Sequence, residues 1–246
     1  MNGTTSPLLR HARDLIDALK DTEAMSPAQL ADAIDVPRST VYRLVEGLTA
    51  IDLVLTAADG RVTLSQRWLA LGDAVQAART EWAGVRSAMR VVTERTGCTT
   101  YLSIPAGDRA MCIDWVKGRA VELLILKPGR SLPLYVGAAG RGTLAGLAAE
   151  DREAYLAAAP FPALTPSTLT TAEQLRADVQ STHRRGYVLS QEDVTPGAGA
   201  LGVPVPDDQG RCSGVLSVGT LIGDLARREE ELYKELSSAV DALPGS

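Results

Sequence analysis

The chain has 246 residues, room for one large domain or two small ones. Its hydrophobic share of 45% permits a packed core, but Phe161 is the single Phe, so that core must be mostly Leu, Val, Ile and Ala. A net charge of −5 excludes a general nucleic-acid coat while leaving room for a local DNA-reading surface, and no apolar run of about 20 residues is present to span a membrane.

The first residues, MNGTTSPLLRHARDL, lack the continuous apolar region of a secretory signal. Cys98, Cys112 and Cys212 are scattered and in no CxxC spacing. A reducing cytoplasm is the expected setting, with the thiols as small buried hydrophobes.

Ser6-Pro7 starts a first helix, with Ser able to cap free N–H groups and Pro suited to the first helical position. Leu8, Leu9, Ala12, Leu15, Ile16 and Leu19 recur at helical spacing. Ser26-Pro27 repeats the start signal, and Leu30, Ala31 and Ile34 face a short second helix. Asp35-Val36-Pro37 breaks it. A third helix begins at Pro37 or Arg38, with Val41, Leu44, Val45 and Leu48 inward. That leaves Arg38, Ser39, Tyr42, Arg43 and Glu46 outward. Small polar and cationic side chains at the start of such a helix suit phosphates and base edges in a major groove. A three-helix core with a solvated polar face is the plain alternative.

Leu53-Val54-Leu55 and Val62-Thr63-Leu64 flank Asp59-Gly60, a hairpin signal. Three helices and a hairpin make a winged helix-turn-helix, in which Arg61 could reach the DNA backbone or minor groove; a solvated turn residue is the other reading. Asp14, Asp17, Asp21 and Glu23 keep the unit from being basic overall, while Arg38, Arg43, Arg61 and Arg67 carry its positive charge. With few phosphate contacts per copy, a dimer is expected.

From Gln66 to about Arg95 the pattern is helical, with Trp68, Leu69, Leu71, Val75, Trp82, Val85 and Met89 on a broad stripe. A break is expected near Glu81 to Gly84. The expected organisation is a winged helix at 1–65, a linker helix at 66–80 and a second domain at 81–246. That domain opens as a meander, 99–104, 110–116 and 121–126. Leu132-Pro133-Leu134-Tyr135 then leads to Gly137-Ala138-Ala139-Gly140-Arg141-Gly142 and an Ala/Leu-rich helix. Helical patterns at about 151–158 and 171–184, strands at 187–190, 197–205 and 212–218, and a charged last helix complete it. The fold class is α+β, a curved antiparallel sheet with helices on one side.

The small residues at 137–142 leave backbone N–H groups open at a helix start, which favours an anion. No Gly-Lys-Ser/Thr follows, so it is not a P-loop, and a tight turn seating a helix on a sheet is the alternative. Catalytic signals are poor: His11 and His183 are the only histidines and no HExxH or GxSxG occurs. Gln191-Glu192-Asp193 offers an acid cluster, for which a solvated turn after a strand is the stronger reading; His183 reads as solvated, and Arg184-Arg185 and Arg227-Arg228 as solvated faces. No metal-ligand cluster and no cofactor is expected.

VPRSTVYRLVEGL, DGRVTL, LPLYVGAAGRGTLA and RGYVLSQEDVTPGAGALGVPV, in this order and spacing, resemble the IclR family of bacterial transcriptional regulators over almost the whole chain. The resemblance implies a winged-helix dimer, often a dimer of dimers (homotetramer) on a double-stranded DNA operator. A linker helix would join it to a GAF-like effector-binding domain, and the chain would not be an enzyme. DNA contacts would come from Arg38, Ser39, Thr40, Tyr42, Arg43 and Arg61. In family members that bind small oxoacids, the effector meets backbone N–H groups at the Gly-rich helix start and polar side chains of the last strands. Here those positions are Ala138, Ala139 and Gly140, with Ser190, Ala200, Ser217 and Gly219, and apolar lining from Leu124, Leu132 and Ala198. The oxoacid binders carry Asp, Cys and a second Ser where Ser190, Ala200 and Gly219 stand. A roomier, more apolar pocket is therefore expected, for an organic acid larger than glyoxylate or pyruvate, possessing an apolar or aromatic body. An enzyme, or a sensor whose helix-turn-helix does not bind DNA, are the competing functions.

Overall fold

The computed structural model describes residues 6–20, 22–77, 82, 84–119, 126–207, 209 and 211–243. The chain divides into two compact units, Met1–Glu81 and Trp82–Ser246.

In the first unit α1 (Pro7–Leu19), α2 (Pro27–Ala33) and α3 (Arg38–Ala50) precede a hairpin, β1 (Val54–Thr56) and β2 (Val62–Leu64), and a further helix α4 (Arg67–Ala77). Ser6 stands at the N-cap of α1 but its side chain makes no capping bond. Ser26 does cap: its Oγ accepts from Gln29 N–H at 3.3 Å while Gln29 Oε1 accepts from Ser26 N–H at 2.8 Å. Asp35 takes positive φ, which ends α2 and turns the chain into α3. Leu15, Leu19, Leu30, Val41, Leu44, Val45, Leu48, Val54 and Val62 form one core. Met25 and Val62 exchange two backbone hydrogen bonds, so the stretch before α2 is tied to the hairpin.

In the second unit α5 (Val85–Thr96) leads into a six-stranded antiparallel sheet of order β5-β4-β3-β8-β7-β6. Its strands are β3 (Thr99–Ala106), β4 (Arg109–Val116), β5 (Ser131–Pro133), β6 (Val188–Gln191), β7 (Ala198–Pro206) and β8 (Cys212–Leu221). Three helices, α6 (Gly137–Gly146), α7 (Ala149–Leu156) and α8 (Ala172–Arg185), lie between β5 and β6 in sequence, and α9 (Ile222–Asp241) follows β8. The strand expected at 121–126 falls almost wholly outside the described residues.

Helices cover both faces of this sheet, against the expectation of one. Leu102, Ile113, Leu201, Val203, Leu216 and Val218 pack with Val85, Met89 and Val92 of α5 and Leu225, Leu232 and Leu236 of α9. The neighbouring Tyr101 and Cys112 point the other way, into a second core with Ala139 and Leu144 of α6, Leu156 of α7 and Leu175 of α8. Side chains alternate across a strand, so a sheet buried on both faces needs apolar or small residues at every position. β8, CSGVLSVGTL, meets that need with Leu216 and Val218 toward α9 and Val215, Ser217 and Gly219 toward α6.

Candidate nucleic-acid interface and ligand pocket

On α3 the buried positions Val41, Leu44, Val45 and Leu48 hold the helix against its unit. Arg38, Ser39 and Arg43 are exposed, Thr40 is half-buried, and Tyr42 is 60% exposed although it is a large aromatic. Among the described residues neither Arg38 nor Arg43 has a hydrogen-bond or ion-pair partner, which leaves both guanidinium forks open to phosphate or base edges. Arg61 differs. Its Nη2 donates to the Ala24 carbonyl at 2.5 Å, so the side chain folds back on its own unit instead of extending from the wing. Arg67 likewise donates, at 3.4 Å, to the Ile51 carbonyl.

The second unit holds a cavity of about 70 Å³ between the sheet and the start of α6. Leu132, Ala138, Ala139, Ser190, Ala198, Ala200, Ser217 and Gly219 all line it. Gly140 does not. A Cβ there would stand 2.2 Å from the Pro133 carbonyl oxygen, so this glycine lets α6 seat on β5. Leu124 lies outside the described residues. Tyr101, Leu126, Gly137, Val194, Thr195, Gly199 and Thr220 complete the wall and were not anticipated.

The register explains the floor. Ser190 pairs with Ala200, and Ala200 with Gly219, so one row of small residues crosses β6, β7 and β8. The Tyr101 ring stands against that floor, 3.3 Å from where a Cβ on Gly219 would be. Burial pushes the Tyr101 phenol up to about 12.

At the mouth of α6 the first N–H is already taken. Asp193, 2% exposed, accepts from Gly137 N–H through Oδ2 at 2.8 Å and from Ser190 Oγ through Oδ1. Arg141 is buried beside it, its Nε 3.2 Å from Asp193 Oδ2, its Nη1 3.0 Å from Asp178 Oδ1 and its Nη2 donating to the Leu189 carbonyl at 2.5 Å. Burial pushes the Asp178 carboxyl up, against the opposite pull of Arg141 and Arg185. Thr168 Oγ1 donates to the Asp193 carbonyl at 2.8 Å and Thr165 Oγ1 to that of Glu192 at 2.7 Å. Of the expected solvated turn at 191–193, Gln191 is exposed and Glu192 half-buried, but Asp193 belongs to a buried polar network that anchors α6 and whose residues are far apart in sequence. Ala138 and Ala139 N–H, next along the helix start, donate to no group among the described residues.

Two further expectations need correction. Arg185 is half-buried, donating at 2.6 Å to the Tyr187 carbonyl and lying over its ring. Arg228 donates at 2.8 Å to the Thr96 carbonyl and pairs with Glu231. His183 is exposed as expected, with its Nε2 2.9 Å from the Ala145 carbonyl oxygen. Cys98 and Cys112 are buried and Cys212 half-buried, all unpaired. Burial raises the Cys112 thiol to about 12 and the Cys212 thiol to about 11, which leaves little thiolate for nucleophilic chemistry. Among the described residues there is no group of three or more His, Cys, Asp or Glu able to hold a metal ion, and no helix long and apolar enough to cross a membrane.

Comparison with known proteins bears on both regions. Residues 8–57 match the IclR helix-turn-helix domain, and residues 82–244 match the bacterial transcriptional regulator IclR C-terminal domain. The chain is 28% identical over 197 residues to a probable transcriptional regulator, SauR, of Cupriavidus necator, covering 79% of this chain and 77% of that protein. An IclR transcriptional regulator from Alicyclobacillus acidocaldarius shares the fold with a TM-score of 0.83 at 23% identity, over 96% of each chain. An IclR homologue from Microbacterium hydrocarbonoxydans, solved with 4-hydroxybenzoate, superposes with a TM-score of 0.81 at 21% identity, over 96% of this chain and 97% of that one. These families and relatives are transcriptional regulators and not enzymes. With its DNA-binding helix-turn-helix and α+β C-terminal domain, the chain belongs to the IclR family of bacterial transcriptional regulators.

Proposed function

We propose that this protein is a repressor that binds its operator as a homodimer or dimer of dimers and is controlled by a small organic acid in its C-terminal pocket. In this reading residues 1–65 read DNA, 66–80 link, and 81–246 sense. The observation that carries the DNA-reading half is the pair of uncommitted guanidinium groups, Arg38 and Arg43, at the exposed start of α3. Two cations and a few hydroxyls make few phosphate contacts, so affinity in salt calls for paired copies. A cytoplasmic location fits a protein that meets the chromosome.

Two unpartnered N–H groups, Ala138 and Ala139, beside a mostly apolar wall support an anionic effector with an apolar body. The relative solved with 4-hydroxybenzoate supports an organic acid of that kind. Binding would favour one arrangement of the paired readers over another, so effector and operator would each alter the other's affinity by the same factor.

The double variant R38A/R43A should lower affinity for the DNA upstream of its own gene by about 100-fold or more, with an unchanged melting temperature. An unaltered gel shift would show the assignment of α3 as the recognition helix to be wrong. Calorimetric titration should give tighter binding for an acid with an apolar body than for glyoxylate; the reverse order would sink the larger-effector reading.

A further inference from the structure

The direction of one hydrogen bond narrows the ligand class of the pocket. A serine hydroxyl holds one hydrogen and two lone pairs. Ser190 Oγ spends its hydrogen on Asp193 Oδ1. The Asp193 carboxylate acts as acceptor on both sides, since Oδ2 takes the Gly137 N–H at 2.8 Å and meets Arg141 Nε at 3.2 Å. Ser190 is buried and lines the cavity, so what it offers a ligand is a lone pair. The helix start offers the opposite polarity, the N–H groups of Ala138 and Ala139.

The two features are close. The oxygens of one carboxylate hold both Gly137 N and Ser190 Oγ, so the serine acceptor and the first turn of α6 lie on either side of the same carboxylate, one hydrogen bond from each of its oxygens. Ser217, the other serine in the wall, belongs to β8, two strands away across β7. At about 4.8 Å per strand it is roughly 10 Å from Ser190, too far to serve the same ligand atom.

We infer that the pocket selects a 2-hydroxy carboxylic acid over the matching 2-oxo acid, with Ser190 as the residue that tells them apart. The inference rests on the carboxylate reading above. With the carboxylate on the Ala138 and Ala139 N–H groups, a hydroxyl on the next carbon donates to Ser190 Oγ. A 2-oxo oxygen in its place meets the serine lone pair to lone pair and leaves both acceptors buried without a donor. Turning the serine hydrogen toward the oxo group does not compensate, because it breaks a charge-assisted bond to a buried carboxylate. The apolar body of the acid lies over the small-residue floor at Ala200 and Gly219, against the ring of Tyr101.

Calorimetry on the full-length protein with two matched pairs tests this: mandelate (each enantiomer) against benzoylformate, and lactate against pyruvate. The expected result is that the better-bound mandelate enantiomer, and lactate, bind at least tenfold more tightly than their oxo partners. In S190A the two affinities should converge, the hydroxy acid losing its acceptor and the oxo acid losing the opposing lone pair; in S217A the ratio should persist. Equal affinities within the wild-type pairs, or tighter oxo acids, overturn the inference while the carboxylate pocket stands. Binding of none of the four acids at millimolar concentration overturns both. A ratio that survives S190A removes Ser190 from the role, and because the wild-type comparison needs no variant, poor folding of S190A cannot shield the claim.

Discussion

Tyr101 carries a stability signature as well as a place in the pocket wall. Burial raises its phenol from 10 to about 12. For an acid held neutral by the fold, the unfolded chain loses its proton first as pH rises. The contribution is therefore complete below pH 10 and is lost as pH climbs through about 12. Y101F removes the proton and should flatten the fall in stability over that window, by roughly 2 kcal/mol at its upper end. Urea melts at pH 9 and pH 11.5 read this; equal slopes for wild type and Y101F would show that the phenol does not carry the effect. Asp193 teaches a different lesson at the same scale. Read locally, QED after a strand is a polar turn, and nothing within four residues contradicts that. Its burial comes from Gly137, Arg141 and Thr168, at least 25 positions away in sequence.

Among the elements, α6 joins pocket to sheet, and Gly140 is where it touches. Because the Pro133 carbonyl oxygen lies 2.2 Å from a Cβ at 140, and is backbone, G140A must displace the helix start. A loss of about 1–3 kcal/mol in denaturant melts is expected, together with weaker acid binding. Gly47 in α3 is the counter-case, with nothing within 4 Å of its Cβ position. G47A should stabilise by up to about 1 kcal/mol, because only the helix-interior cost of glycine is removed. Destabilisation by G47A, or none by G140A, would show the packing argument to be misplaced. The Ser26–Gln29 capping box needed no tertiary information, since both partners lie within one turn.

For the molecule as a whole, the telling feature is α4. Leu71 and Val75, one turn apart, are 40% and 50% exposed, so the apolar stripe seen in the sequence is not used up inside the first unit. Paired copies would give such a face something to cover it, in line with the dimer proposed above. L71E/V75E should shift the sedimenting mass to that of one chain at micromolar concentration and weaken operator binding, with little change in melting temperature. An unchanged mass would place the dimer contact elsewhere. The order of elements, the winged unit and the outward face of α3 were readable in the sequence, because helical period, cap residues and turn glycines act over a few positions; the eight named residues that line the pocket came from the family resemblance alone. Tertiary structure decided what distance in sequence conceals: helices on both faces of the sheet, the return of Arg61 to Ala24, and the Arg141–Asp193 network at the start of α6. The physical reason is that a charge or a glycine discloses its role only once remote segments have closed around it and fixed which polar groups keep their water and which must find one another.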